Sequence, residues 1–196
     1  MEQSMFKIIY CIGWALIAVI RIPARWKTRK NRVVVDRKTT LEKSLLALLV
    51  PSLVVFPIIY LFTPWLNFAD YQLPSWAGWI GVASFAVGLG LLWRAHTELG
   101  KNFSDSLQLR QGHQLVTSGI YQHIRHPMYA FGWLFAIAQA LLLQNWIAGV
   151  SGLVAFALLY FIRMPREEQM MLDQFGEEYR AYMNRTGRVI PHLKLK

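Results

Sequence analysis

The sequence predicts an all-α protein that crosses a membrane five times. Of the 196 residues, 55% are hydrophobic and 16% are charged; a soluble domain carries about 25% charged residues. Residues 44–66, 71–93 and 127–162 contain no Asp, Glu, Lys or Arg. A helix needs roughly 17–25 apolar residues to cross a bilayer, so these stretches fit one, one and two spans. Gln144 and Asn145 break the third stretch, which predicts a tight helical hairpin.

Residues 8–20 form the remaining, weaker candidate span. This apolar stretch is short, but Lys7 and Arg21 at its ends can extend their charged groups toward the membrane surfaces. A cleaved signal peptide is the alternative interpretation. It is disfavoured because Lys7 is the one basic residue before the stretch, and residues 21–25 make a poor cleavage site.

The basic residues predict the orientation of the helices. Segments 21–43, 94–126 and 163–196 contain 20 of the 21 Lys and Arg residues, and the five-span arrangement places all three on one side. Because cytoplasmic loops carry an excess of Lys and Arg, we expect these segments and the C-terminus inside and the N-terminus outside. Without the first span, the segments stay together if the N-terminus is also cytoplasmic.

Composition and charge exclude several classes of protein. A single cysteine excludes a disulfide scaffold, a Cys-rich zinc site and an iron–sulfur cluster, and no metal is expected. Eight Trp and 14% aromatic residues exclude a disordered tail. The net charge of +10 is explained by the basic cytoplasmic loops, for which anionic membrane lipids are suitable partners. No nucleic-acid recognition motif is visible, so no nucleic-acid partner is expected.

Two charged segments differ in character. Residues 21–43 suggest a charged juxtamembrane linker, whereas residues 94–126 mix glycines with polar and aromatic residues, as a structured functional loop does. The third span has a row of small residues that predicts close packing against another helix: Ala77, Gly81, Ser84 and Gly88.

The C-terminal region predicts an amphipathic helix on the cytosolic side. It begins at Pro165, ends at about Arg185 and is followed by Gly187 as a plausible stop. Its apolar residues recur on one helical face: Leu172, Phe175, Tyr179 and Met183.

Residues 113–129 and 163–168 are the candidate functional segments. The first enters the membrane and the second leaves it, so the hairpin brings both to the same side. Taken singly, Arg163 is a plausible interface anchor, and Glu167 complements a helix dipole. Acids, bases, an imidazole and two phenols that converge at one membrane interface instead indicate a functional site.

The ordered motifs resemble the isoprenylcysteine carboxyl methyltransferase family, closest to its short prokaryotic form. They read His113-x-Leu-Val-x-x-Gly-x-Tyr121, Arg125-His126-Pro127-x-Tyr129, Arg163-x-x-x-Glu167-Glu168 and Phe175-Gly-Glu-Glu-Tyr179. The resemblance covers about half of the chain. It implies an integral-membrane methyltransferase that uses S-adenosyl-L-methionine and releases S-adenosyl-L-homocysteine.

The resemblance also implies roles for individual residues. Arg163 and Glu167 are the expected catalytic pair, with Arg163 on the substrate side and Glu167 on the cofactor side. The other expected cofactor contacts are Gln108, His113, Gln114, Leu115, Val116, Tyr121, His126, Pro127, Met128 and Tyr129. Gln108 is placed loosely, because the loop before His113 varies in length within the family.

The expected acceptor is a carboxylate on a lipophilic molecule such as a prenylcysteine. Alternatives are a phospholipid amine or a small thiol, an NADPH-dependent sterol-reductase-like enzyme, and a membrane scaffold without catalysis. We expect residues 1–98 to hold the first three membrane helices with the basic linker. Residues 99–196 are expected to hold the catalytic region, and both parts form one integral unit with its active site facing the cytosol.

Overall fold

The computed structural model describes residues 2–29, 33–36, 39–100, 108–110 and 114–192, and this part of the chain is mainly helical. A helix satisfies its own backbone polar groups inside hydrocarbon, so the charge-free stretches fold as helices. The helices are α1 (Glu2–Arg29), α2 (Thr40–Val50), α3 (Phe56–Phe62), α4 (Ser75–Leu99), α5 (Pro127–Leu143) and α6 (Ser151–Arg185).

Several of these helices are long and apolar enough to cross a membrane. In the described part of the chain the candidate spans are Glu2–Ala24, Thr40–Phe62, Ser75–Leu99 and Trp146–Arg185. The span Thr40–Phe62 joins α2 to α3 through a π-helical turn, in which the Phe56 N–H bonds to the Pro51 carbonyl. The all-helical membrane fold is confirmed. Helix α5 has 17 residues, at the short end of the range for a span, so the count of five stays a prediction.

The predicted hairpin between α5 and α6 is confirmed. Gln144 ends α5 in the left-handed conformation with φ of 49°. The side-chain oxygen of Asn145 then accepts hydrogen bonds from the N–H groups of Ile147 and Ala148 at 3.0 and 2.8 Å. This arrangement satisfies amide groups that a helix start leaves without helical partners.

Small residues allow α4 to approach α5 closely, as the sequence predicts. A Cβ atom on Gly81 would lie 3.0 Å from the Cβ of Leu141, and one on Gly88 would lie 3.4 Å from the Phe131 ring. Phe131 belongs to the main apolar core, which α1, α4 and α5 build together. The close approach therefore fixes α5, which carries part of the site at its first turn.

A buried glutamine connects the helices inside the apolar core. Gln139 on α5 accepts a hydrogen bond from the Tyr10 hydroxyl at 2.9 Å. Its amide nitrogen donates to the carbonyls of Ser52 and Ala148 at 2.9 and 2.7 Å. Both carbonyls lie in π-helical turns, Pro51–Val55 and Trp146–Val150, where the regular α-helical ladder is interrupted. Gln139 thus satisfies backbone groups that would be costly to leave open in hydrocarbon.

A short two-stranded ribbon accompanies the helices in the described part of the chain. Strand β1 (Val33–Asp36) pairs antiparallel with β2 (Gln108–Arg110). The segment predicted as a juxtamembrane linker instead holds the end of α1, which continues to Arg29, and this strand. Consecutive β-branched valines favour a strand, but the basic residues around them suggested a linker.

The C-terminal helix begins earlier than predicted. Helix α6 continues through Pro165, where the sequence predicted a new helix, and is interrupted at Gly176 with φ of 53° and ψ of −125°. Proline removes one helical hydrogen bond, which the rest of the long helix tolerates, whereas few residues other than glycine adopt the backbone conformation of Gly176. The predicted amphipathic helix is therefore the last part of the final membrane helix, bent at Gly176.

The described residues of the three basic segments lie at one end of the bundle. The ribbon joins the first segment to the second, and Arg125 of the second contacts Glu168 of the third. The other end of the bundle is tied by a hydrogen bond from Ser75 to Glu2 and one from Asn145 to Asp70. The structure therefore confirms that these segments, in the part of the chain that it describes, share one end.

Exposed aromatic side chains lie near both ends of the bundle. Trp65, Trp76 and Trp146 are exposed near the end that holds Glu2, and Trp93 is exposed toward the basic end. Tryptophan is enriched at membrane–water interfaces. Their positions agree with a bundle that crosses a bilayer between these aromatic groups.

Candidate functional site

Glu168 on α6 is the most densely bonded acid at the basic end. Its carboxylate accepts hydrogen bonds from Arg125 at 2.6 Å and from Arg188 at 2.9 Å. The Nε2 atom of His126 lies 3.4 Å away. The Glu168 side chain is only 5% exposed. A buried charge persists when opposite charges and hydrogen bonds surround it. This cluster is therefore a buried ion network whose charges are satisfied within the protein.

The chain that follows α6 lies against the segment that precedes α5. The backbone N–H groups of Arg125 and His126 donate to the carbonyls of Gly187 and Arg188, both at 2.9 Å. The Tyr182 hydroxyl donates to the Tyr121 carbonyl at 2.6 Å. The C-terminal segment thus holds residues 121–126 in place at the entrance to α5.

Glu167 faces a more open environment than its neighbour. The Tyr129 hydroxyl donates to its carboxylate at 2.8 Å, and the His126 Nδ1 atom lies 3.8 Å from the other carboxylate oxygen. His126 and Tyr129 are buried, whereas the Glu167 side chain is 27% exposed. Glu167 is therefore a fixed carboxylate that can still receive a cationic group from outside.

Arg163 lies one helical turn before Glu167 on α6. Its Nε atom is 3.8 Å from a Glu167 oxygen, and its Nη1 atom is 3.6 Å from an oxygen of Glu42 on α2. The Arg163 side chain is 11% exposed. The guanidinium is thus placed between two carboxylates at the membrane-facing side of the site.

The stretch before α5 is positioned by Glu98 at the end of α4. Its carboxylate accepts a hydrogen bond from the Ile120 N–H. A Cβ on Gly119 would lie 2.3 Å from the Glu98 carboxyl carbon, and Gly119 has φ of +61°, so glycine is needed there. Two residues on, Tyr121 is buried, and burial raises the pKa of its hydroxyl, which stays neutral at physiological pH.

The structure brings four predicted site residues into one cluster: His126, Tyr129, Arg163 and Glu167. Tyr121 is connected to them through the bonded segment 121–126. Pro127 begins α5 and is buried, and Met128 packs against the main core.

The remaining predicted cofactor contacts precede this cluster in the chain. Gln114 is exposed, and Leu115 and Val116 are half-buried. Gln108 lies in β2, and its side chain is outside the described part. His113 also lies outside the described residues. The structure therefore brings together the later members of the predicted set, and the cofactor role of every member stays a prediction.

Sequence analysis missed Glu42, which pairs with Arg163. A local signal exists, because Thr39 and Glu42 have the spacing of a helix capping motif and the Thr39 hydroxyl accepts from the Glu42 N–H. That signal marks the start of α2 but not its contact with α6. The sequence analysis also assigns no role to Glu168, Arg125 or Arg188, although Glu168 and Arg125 lie in the quoted motifs.

The fold and this cluster define a polytopic α-helical membrane protein with a charged site at one end of its bundle. Residues 79–173 match the model of the isoprenylcysteine carboxyl methyltransferase family. This match confirms the resemblance to the family that the motifs of the chain show.

Individual relatives agree with this family. The protein-S-isoprenylcysteine O-methyltransferases of Homo sapiens and Dictyostelium discoideum are 33% and 32% identical to the chain over 123 and 118 residues. These stretches cover 61% and 59% of the chain, but 43% and 49% of the two relatives. The alignments therefore span less than half the length of either relative.

A solved structure extends the likeness to nearly the whole chain. It is that of a eukaryotic intramembrane Ras methyltransferase, isoprenylcysteine carboxyl methyltransferase. It aligns with a TM-score of 0.68 and 26% identity, over 98% of this chain and 68% of that one. The N-terminal helices therefore share its architecture as well.

Proposed function

We propose that the protein is a membrane methyltransferase that esterifies the carboxylate of a prenylcysteine-type acceptor with S-adenosyl-L-methionine as donor. The observation that carries this proposal is the placement of Glu167. Its carboxylate is fixed by Tyr129 yet partly exposed, and it lies beside Arg163 at one end of a membrane bundle. Both residues belong to the stretch that matches the family.

The described residues fit the proposed cofactor. When bound, S-adenosyl-L-methionine supplies a methyl group on a sulfonium sulfur and leaves as S-adenosyl-L-homocysteine. Glu167 would accept hydrogen bonds from its ammonium group, and the buried Tyr129 hydroxyl holds that carboxylate in place. Leu115 and Tyr121 would contact the adenine. The other proposed cofactor contacts are Gln108, His113, Gln114, Val116, His126, Pro127 and Met128.

Arg163 would bind the acceptor carboxylate. A guanidinium offers two parallel donors that match the two carboxylate oxygens. The acceptor is ionised at neutral pH, since free carboxyl groups titrate near pH 3–4, so the site needs no strong base. Alignment of the two reactants can contribute roughly 7–11 kcal/mol, and Arg163 and Glu167 would provide it from successive turns of α6.

The surroundings of the site fit a lipophilic acceptor. Arg163 lies at the end of a membrane helix, where the head group of an amphiphile would meet water. Each buried CH₂ contributes about 0.8 kcal/mol to membrane partitioning, so a prenyl chain can remain in the bilayer. The relatives reported above are named for prenylcysteine, which makes a phospholipid, a thiol or an NADPH-dependent reaction less favoured.

We further propose that this end of the bundle faces the cytosol, because it carries the basic segments. In a Cys11→Ser background, Asn67→Cys should react with an impermeant maleimide on intact cells. Ala181→Cys should react only after the membrane is opened. Both positions are exposed in the structure. Labelling of both from the same side would contradict the orientation.

The activity can be tested with purified protein and methyl-labelled cofactor. The acceptors are an N-acylated S-prenylcysteine, phosphatidylethanolamine and a small thiol, and titration calorimetry measures the affinity for S-adenosyl-L-homocysteine. We expect binding of the product and transfer to the prenylcysteine. Transfer to another acceptor would change the proposed substrate, whereas a folded protein that binds no S-adenosyl-L-homocysteine would contradict the methyltransferase itself.

A further inference from the structure

Glu42 is a buried acid at the start of α2. The residue is 2% exposed, and its Oε1 atom lies 3.6 Å from Nη1 of Arg163 on α6. One turn further along α6, Arg166 donates a hydrogen bond to the Thr39 hydroxyl at 3.3 Å, and Thr39 is the cap residue of α2. The first turn of α2 is therefore attached to α6 at two points beside the proposed acceptor site.

The position of Glu42 is stabilised by its own helix as well as by Arg163. It lies in the first turn of α2, where the helix dipole favours a negative charge. Leu45, one turn later, packs into the apolar cluster that includes Tyr129 and Met164. Glu42 is thus held at the start of α2 both by its own helix and by Arg163.

Arg163 and Glu167 are separated more widely than an unconstrained pair would be. Residues four apart on a helix face each other and attract when oppositely charged, and a closed charge-assisted bond measures about 2.7–2.9 Å. The Nε–Oε2 distance here is 3.8 Å. The Glu42 carboxylate supplies the opposing attraction, because it lies at a nearly equal distance from the Arg163 guanidinium.

We infer that Glu42 is a positioning residue that keeps Arg163 from closing onto Glu167. The inference rests on the proposed function, since it concerns the same two residues. Without the attraction of the Glu42 charge, Arg163 is drawn closer to Glu167 on α6. It then neutralises Glu167, which no longer attracts the ammonium group of the cofactor. Glu42 lies outside the stretch that matches the family model. Through Arg163 it nevertheless controls the Glu167 carboxylate, on which cofactor binding depends.

Affinity for S-adenosyl-L-homocysteine tests this inference without any acceptor. Glu42→Gln should raise the Kd about tenfold, the size expected for loss of a hydrogen bond to a charged group. Adding Arg163→Met should return the Kd close to that of the native protein, because the competing guanidinium is gone. Arg163→Met alone should bind the product at least as tightly as the native protein. Glu2→Gln removes an acid at the opposite end of the bundle and serves as the matched control.

The outcomes separate the inference from the proposed function. Failure of the native protein to bind S-adenosyl-L-homocysteine would defeat the proposed function. If the native protein binds it, an unchanged Kd in Glu42→Gln would overturn the inference. So would a weakened Kd that Arg163→Met does not restore, because that pattern indicates general damage. Should Glu42→Gln fail to fold, Glu42→Asp retracts the charge by one methylene and should show a smaller loss with the same restoration.

Discussion

The neighbouring acids Glu167 and Glu168 have opposite environments. Glu168 is 5% exposed and bonded to two arginines, one of which, Arg125, is itself buried. Glu167 is 27% exposed, and a tyrosine hydroxyl holds it at 2.8 Å. Consecutive residues on a helix point about 100° apart, so one acid faces the chain that follows α6 while the other faces the proposed ligand site.

This difference assigns separate tasks to the two acids. The charges around Glu168 are already satisfied within the protein, so Glu168 has little capacity left for a ligand. Its bonds join α6 to the start of α5 and to the C-terminal segment. Glu167 keeps an accessible carboxylate whose position depends on that assembly. The ion cluster around Glu168 thus holds in place the accessible carboxylate of Glu167, as a preorganised site requires.

The largest expected effect comes from Glu168→Gln. The substitution leaves Arg125, with a side chain 7% exposed, without its anionic partner. Removing one member of a buried ion pair costs about 3–5 kcal/mol. We expect a clear fall in the melting temperature of the detergent-solubilised protein, measured by tryptophan fluorescence.

The neighbouring substitution is the control for this prediction. Glu167→Gln has the same chemistry one residue earlier, and the Tyr129 hydroxyl can still donate to the amide oxygen. Its melting temperature should remain close to that of the native protein. Equal stability losses in both variants would show that the two acids do not differ as described.

The second effect in size concerns binding. Glu167→Gln removes the charge that would pair with the ammonium group of the cofactor. A hydrogen bond to a charged group contributes about 1.5–3 kcal/mol, so the Kd for S-adenosyl-L-homocysteine should rise roughly tenfold to a hundredfold. Titration calorimetry measures this change. An unchanged Kd would place the ammonium group elsewhere.

The sequence predicted those parts of the fold that depend on local composition. Charge-free stretches predict the helices. Gln144 and Asn145 predict the hairpin, because each determines the backbone conformation of residues only a few positions away. The row of small residues gave the close approach of α4 to α5. The convergence of Arg163 and Glu167 with His126 followed from the hairpin, which brings both ends of residues 127–162 to one side.

Features that depend on contacts distant in the sequence were not predictable in this way. Glu42 and Arg163 are far apart in the chain, and nothing in the start of α2 indicates that it packs against α6. Glu167 and Glu168 look alike in sequence, and the helix direction alone separates them. Pro165 predicts a helix start, but the effect of a proline depends on the helical turns around it, and α6 continues through Pro165.

The smallest expected effect on stability, and the sharpest on function, comes from Arg163→Lys. Lysine keeps the positive charge between Glu42 and Glu167 but cannot donate two parallel bonds to a carboxylate. Stability and affinity for S-adenosyl-L-homocysteine should therefore stay nearly unchanged, while turnover of the prenylcysteine falls by roughly tenfold or more. Arg166→Lys, one turn further along α6 at an exposed position, is the matched control and should retain turnover. Because a residue that merely anchors the helix at the interface would function equally well as lysine, near-normal turnover in Arg163→Lys would refute the acceptor role and leave Glu167 as the sole ligand-binding charge on this face of α6.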